Sequence, residues 1–442
     1  MTQPRPPLDT ALLSLLQWLW DTDPLADPAL DRRARELLAD TLGCAIAGIA
    51  EPEVASLARH LAAGDPGPLG FPGLQSRMTA AGLAMTVAAG SCWHEACEGL
   101  PAAHGRPGLH VIPAILGPSL AAGRPLGDVL RALVVGYEIG GRMGMVCRIR
   151  PGMHVDGTWG SFGAAVAACH LAGLSPAVAL GAMNHAACHL PFSLYRPIAA
   201  GSTARNAFVG HGAVHGMTSM AASAAGLAGP PGSIAEMARL ALGLGPDTLP
   251  AMPLPGTWLI RDGYLKLYPA VKHVHYGAAL AEQFHAEQGS PPIQAITLRV
   301  YAEALTYVGN RAPTTAIQAQ FSASYGAAWS LVHGRMTPSA YTPSSLTDPA
   351  VQRLEQIITL EDDTALTQAG RRGGTLCVEW PGGSWQRSID GVPGDAETPM
   401  SRADITEKFL AYTGPVIGVP LARQILRDLL DEPLQAPLRL AM

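Results

Sequence analysis

PPIQAITLRV, residues 291–300, marks a change of texture in this chain. Ile296, Leu298 and Val300 alternate with Thr297 and Arg299, the period-two pattern of a half-buried strand. The residues before it read as helices. Asp27 and Pro28 offer an N-cap and a first-turn proline, after which Leu37, Leu38, Leu42, Ala45, Ile46 and Ile49 recur at helical spacing. Further helices are predicted through residues 76–91, 125–144, 160–173, 176–190, 204–228 and 233–243, with enough Ala and Gly for close approach between them. Downstream, residues 354–361 and 375–380 predict strands, and Pro381-Gly382-Gly383 a turn into an antiparallel partner over 384–390. Helices within 275–286 and 314–333 would cover this sheet, and helical periodicity returns from Ser401. The expected fold is mainly α with an α+β second domain. A large helical domain spans residues 1–265, and a smaller α+β domain with an antiparallel sheet spans 266–395. C-terminal helices over 396–442 would pack back on the helical domain.

With 442 residues, 48% of them hydrophobic, the chain can bury a large core and has room for two or three domains. A net charge of −5 and the lack of a Lys/Arg stripe argue against nucleic acid as a partner. The start, MTQPRPPLDT, has no apolar segment after its basic residue, so a cytoplasmic protein without a secretory signal is expected. Residues 164–190 are apolar but interrupted by His170, Pro176, Asn184, His185 and His189, which fits a buried helix pair better than a membrane span. The seven cysteines are scattered, odd in number and mostly in apolar contexts, as expected of reduced core thiols. No CxxC pair, HExxH motif or compact histidine spacing marks a metal site.

Residues 94–113, HEACEGLPAAHGRPGLHVIP, gather histidines, a thiol, carboxylates and an arginine between small-residue helical segments, and read as an active-site loop. Other stretches join it in a fixed order. They are ADTLGCAIAG with Asp40 and Gly43, VVGYEIGGRMG with Gly136-Tyr137-Glu138, and HVDGTWGSFGAA with His154, Thr158, Gly160 and Gly163. STARNAFVGHGAVHG follows, then GLAGPP with Glu236, and YLKLYPAVKHVH with Lys266, Tyr268, Pro269 and His273. AQFSASYGAA with Phe321, Ser322 and Tyr325, and TPMSRADITEKF with Pro399, Lys408 and Phe409, close the series. Together these segments resemble the MmgE/PrpD superfamily of methylcitrate dehydratase, cis-aconitate decarboxylase and iminodisuccinate epimerase, over nearly the whole chain. The resemblance implies a helical domain joined to a smaller α+β domain, a cleft site between them, and a homodimer. It also implies a small polycarboxylate or related acid as substrate and no organic cofactor.

The implied reactions move a proton at a carbon next to a carboxylate, which needs a base, an acid and cations for the developing charge. Histidine suits the first role, and His154 also matches the family, with Thr158 beside it. Arg205 stands where the family has a basic residue and would anchor a carboxylate, or form an interdomain salt bridge. Lys266 and Lys272 flank the Tyr-Pro element as anion ligands, with His273 near them. Tyr325 would donate a phenolic hydrogen bond, or serve the core. In residues 94–114 a family subset reads approximately HELDEGNRFARGHPxxHVIPA. Here Cys97 replaces its acidic residue, Leu100-Pro101 its Asn-Arg, and Arg106 the histidine before proline, while His94, Glu95, Glu98 and His110 remain. His104 would supply a displaced imidazole. Cys97 is either a nucleophile or a small residue filling vacated space. The expected catalytic set is His154, His104, Lys266, Tyr325 and Cys97. The expected binding set is His94, Glu98, Arg106, Thr158, Arg205, Lys272 and His273. The function expected is a cofactor-independent dehydratase or decarboxylase. The alternatives are an isomerase, epimerase or cyclase on a larger, less charged substrate, and a binding homologue without catalysis.

Overall fold

The computed structural model describes residues 7–245, 247–253 and 255–440. The first six residues, part of the segment read above for a signal, lie outside them. The helical part contains α1 (Leu8–Asp21), α2 (Pro28–Gly48), α3 (Pro52–Gly64), α4 (Ala80–Trp93), α5 (Pro107–Ala122) and α6 (Leu126–Val146). It continues with β1 (Met153–His154), α7 (Gly160–Leu171), α8 (Pro176–Cys188), β2 (Ser193–Leu194) and α9 (Phe208–Ala224). Asp27 caps α2 by accepting the Ala29 N–H at 2.8 Å, with Pro28 in its first turn as expected. The small residues do let helices close on each other. A Cβ on Gly163 of α7 would lie 2.6 Å from the Gly136 carbonyl of α6, so glycine is required at this crossing. No helix among the described residues is long and apolar enough to cross a membrane.

The α+β part holds α10 (His275–Gln288), β3 (Ala295–Val300), α11 (Ala323–His333), α12 (Pro349–Ile357), β4 (Ile358–Asp362), β5 (Gly374–Trp380) and β6 (Gly383–Ile389). The sheet order is β4-β3-β5-β6, and Phe284, Leu298, Val300, Leu376 and Val378 lie in its core. β3, β5 and β6 pair antiparallel, while β4 joins the edge parallel to β3. Residues 354–357 are the last turn of α12 and not strand. Asp348 caps that helix by accepting the Ala350 N–H at 2.8 Å, Pro349 opens it, and the strand begins only at Ile358. The helix expected within 314–333 is α11, and a shorter helix at Ala316–Gln320 precedes it; the break falls at Phe321-Ser322, where the Ser322 hydroxyl caps α11 by accepting the Tyr325 N–H at 3.2 Å.

The C-terminal α13 (Arg402–Ile417) and α14 (Val419–Asp431) return to the helical part, and Phe409, Ile425 and Leu429 join its core. Two motif residues from opposite ends of the chain meet there. The Lys408 ammonium donates to Asp40 Oδ1 at 2.5 Å and to the Ala96 carbonyl at 2.7 Å, next to the 94–106 loop. Glu138 of the Gly-Tyr-Glu motif is likewise structural. It pairs with Arg142 and accepts the Leu259 and Ile260 N–H groups at 3.0 Å each, which holds the segment leading into the α+β part.

Candidate active site in the interdomain cleft

The loop between α4 and α5 is tied to the interdomain strap, residues 259–266 leading into the α+β part, by a two-way backbone bridge. Gly99 N–H donates to the Tyr264 carbonyl at 3.0 Å, and Tyr264 N–H to the Gly99 carbonyl at 2.8 Å. A cavity of about 350 Å³ opens beside this bridge, lined from both parts of the molecule. The helical part contributes Glu95, His104, Arg106, Arg148, His154, Asp156, Trp159 and Tyr195. The α+β part and the strap contribute Tyr264, Lys266, Lys272, His273, Glu303, Tyr307 and Arg372.

Glu95 is the centre of this arrangement. Its backbone sits at φ +52, a left-handed conformation unusual for a side chain of this kind. The carboxylate accepts from Lys266 Nζ at 2.6 Å, Arg205 Nη2 at 2.5 Å and Arg106 Nη1 at 3.1 Å. Burial by itself would raise this carboxyl, but Arg106, Lys266 and Arg205 outweigh it and hold it well below the ordinary range. Arg106 also pairs with Asp156, whose burial penalty is overcome in the same way, by Arg106 first and Arg205 with it. Arg106 therefore stands between two buried carboxylates as a bridging cation.

His154 has a defined proton. The Asp156 N–H donates to its Nδ1 at 3.1 Å, so the neutral ring must carry its hydrogen on Nε2. Burial pushes its pKa down to about 4, so the neutral form prevails at pH 7. In this state His154, which lines the cavity, carries a donor N–H on Nε2 and has no vacant ring lone pair. His110 has both ring nitrogens engaged, one with the Arg106 carbonyl and the other with the Gly157 N–H, and is structural. Lys272 pairs with Asp395 and lies over the Tyr264 ring; burial lowers its pKa to about 8 despite that partner. Lys266 is lowered by burial too, against the pull of Glu95. His273 stacks on Tyr307, bonds Tyr301 at 2.5 Å through Nδ1, and is pushed down to about 3 by burial.

Of the residues expected from sequence, His154, His104, Arg106, Lys266, Lys272 and His273 come together at the cavity. His104 stands exposed at its mouth, 3.8 Å from Glu303. Arg205 is fully buried behind it and acts through Glu95. The others point elsewhere. Cys97 packs with Cys44, Ala88 and Tyr412, and its thiol, driven well above its usual pKa by burial, donates to the Ser91 carbonyl at 2.7 Å. It fills space and has no access to the cleft. Tyr325 is a core residue whose hydroxyl donates to the Ala340 carbonyl at 2.5 Å. His94 is buried against Glu51 and Tyr412, and Thr158 donates to the Val155 carbonyl at 2.6 Å. Glu98, pushed up to about 7 by burial, accepts the Leu109 N–H at 3.3 Å at the start of α5. Cys97→Ala is accordingly expected to cost about 1 kcal/mol of stability and to leave activity on an acid substrate unchanged, as paired denaturation and rate measurements would reveal.

Asp156, Arg148 and Arg372 were not singled out from sequence. Asp156 had a local signal, since it lies two residues after His154 and is followed by Gly157 at φ +81, a turn that folds it back on the ring. Arg148 and Arg372 reach the cleft only through the tertiary fold. Among the described residues no three His, Cys, Asp or Glu side chains stand together as metal ligands.

A helical domain and an α+β domain closing over a cleft rich in cations and buried carboxylates define a class of protein built to handle a small organic anion. Residues 21–243 match the MmgE/PrpD N-terminal domain and residues 268–432 the MmgE/PrpD C-terminal domain, and the chain belongs to the MmgE/PrpD family. No curated protein matches it. Membership supports an enzyme of lyase-like type acting on small organic acids in general.

Proposed function

We propose that the protein is a cofactor-independent acid/base enzyme that moves a proton next to a carboxylate of a small organic acid, with loss of water or carbon dioxide. The observation that carries this reading is the pairing, in one cavity, of a neutral His154 that presents its Nε2–H with a Lys272 whose pKa is about 8. A lysine brought near neutrality is a competent base, because a usable fraction is unprotonated at pH 7 to 8. A neutral imidazole donor stabilises the enolate oxygen formed when the proton leaves, without first surrendering a charge. Lys266 and Arg106 line the same cavity and supply positive charge for the reacting carboxylate.

His154→Gln is expected to slow turnover by roughly 10²–10³-fold, the usual effect of removing an oxyanion donor. Lys272→Gln is expected to slow it by roughly 10²–10⁴-fold, as for a general base. Wild-type kcat/KM should rise with pH through about 8, where Lys272 loses its proton in the face of Asp395, Lys266 and Arg372. A profile flat from pH 6 to 9, with Lys272→Gln fully active, would remove lysine from the mechanism. Because His154 and Lys272 come from different domains, proton removal and return on two faces of the same carbon is the second reading, and gives an epimerase or isomerase. Release of water or carbon dioxide separates the two. The family resemblance extends the proposal to a homodimer, which sedimentation tests.

A further inference from the structure

The charges around the cleft do not cancel. In the buried cluster three cations, Arg106, Arg205 and Lys266, share two carboxylates, Glu95 and Asp156. Glu98 makes no ion pair among the described residues. Two further cations at the cavity have one carboxylate each. Lys272 in its protonated form pairs with Asp395, and Arg372 with Glu303 at 3.3 Å. Arg148 has none. Among the described residues no Asp or Glu lies within ion-pair distance of it, and its guanidinium donates one hydrogen bond, from Nη2 to the Ala102 carbonyl at 3.0 Å. It is half-buried on the cavity wall, so most of its fork of donors is left for something that enters.

The surplus is thus one positive charge in the buried cluster and one at Arg148. Leu100, Pro101, Ala103, Met153 and Val155 line the same cavity and add no charge. We propose that the cleft takes a dicarboxylate, one carboxylate at the buried cluster and the second, remote from the reacting carbon, on Arg148, which sets the preference for a doubly charged acid. The assignment of the inner end rests on the acid/base reading above. Arg148 is a specificity-determining residue in this scheme. A monoacid leaves its guanidinium without a partner, and a third carboxylate would be desolvated with no cation left to receive it.

The test is calorimetric titration of the full chain with succinate, glutarate and adipate, their monomethyl esters, and citrate, for wild type, Arg148→Gln and Arg148→Lys. The best diacid is expected to bind about 10- to 100-fold more tightly than its monoester, the usual range for a charge-assisted contact. Arg148→Gln should erase that ratio by weakening the diacid and not the ester, and Arg148→Lys should keep part of it. Tighter binding of citrate than of any diacid would overturn the proposal. So would equal loss for diacid and ester in Arg148→Gln, or failure of every acid to bind. Solvent-deuterium exchange on the same samples separates the two proposals. Diacid selectivity without exchange retains this one and removes the acid/base reading, and exchange with selectivity indifferent to Arg148 does the reverse.

Discussion

Glu95→Gln is expected to lower the unfolding free energy by about 3–5 kcal/mol, the range for breaking a buried ion pair from one side. The Glu95 carboxylate accepts from three cations that are themselves shut away from water, and its removal leaves Arg106 and Arg205 to Asp156 and Lys266 with no carboxylate in ion-pair distance among the described residues. A neutral amide of the same shape keeps the packing, so the loss reports charge and not volume. Because the same three cations fix the floor of the cleft, ligand binding should fail with it. Urea denaturation of the purified variant measures the effect. A loss below about 1 kcal/mol, the level of an exposed pair, would mean that the cluster is hydrated and does not organise the site.

Stability should also fall steeply in mild acid. Burial lowers the pKa of His94 and His154 to about 4 and that of His273 to about 3. The unfolded chain, with histidines near 6.5, therefore binds more protons than the folded chain below that pH. The stabilisation is complete above pH 6.5 and is lost as pH falls through 6 and 5 toward those folded values. Each group contributes about 3–5 kcal/mol at full loss, from the size of its shift. Glu95 and Asp156, held below the ordinary carboxylate range, add a second loss where unfolded carboxylates protonate, near pH 4. Glu98 works the other way. Its raised pKa of about 7 makes folding easier as pH drops, and it offsets part of the histidine effect between pH 7 and 4.5. Urea midpoints at pH 7.5, 6 and 5 should fall monotonically. Constant midpoints would show that these imidazoles are open to solvent.

The fold was legible because its signals are local. The capped, periodic α2 and the alternation in β3 are written in adjacent residues. β4 was less so, since Leu354, Ile357 and Ile358 suit a helix or a strand and only the Asp348-Pro349 cap decides where one ends. The site was half legible. Residue type and motif brought out His154, Lys266 and Lys272, but a motif residue can as well be structural, as Tyr325, Thr158 and Glu98 are. From sequence Cys97, in place of the family's acidic residue, reads as a nucleophile or as a filler of vacated space; in the fold the thiol faces the helix core, and the neighbouring Glu95 carries a carboxylate to the cleft. Arg148 and Arg372 follow from no local pattern. Their role depends on which cations find carboxylates in the folded chain, and that is set by tertiary contacts.

The most direct test of the central claim, that this cleft moves a proton next to a carboxylate, is NMR of wild-type protein in D2O with a panel of di- and tricarboxylic acids. The account predicts deuterium entering at the carbon beside a carboxylate of at least one diacid, with release of water or carbon dioxide, and loss of both in Lys272→Gln. An acid that binds in the cleft while no acid in the panel exchanges a proton or is converted would contradict it.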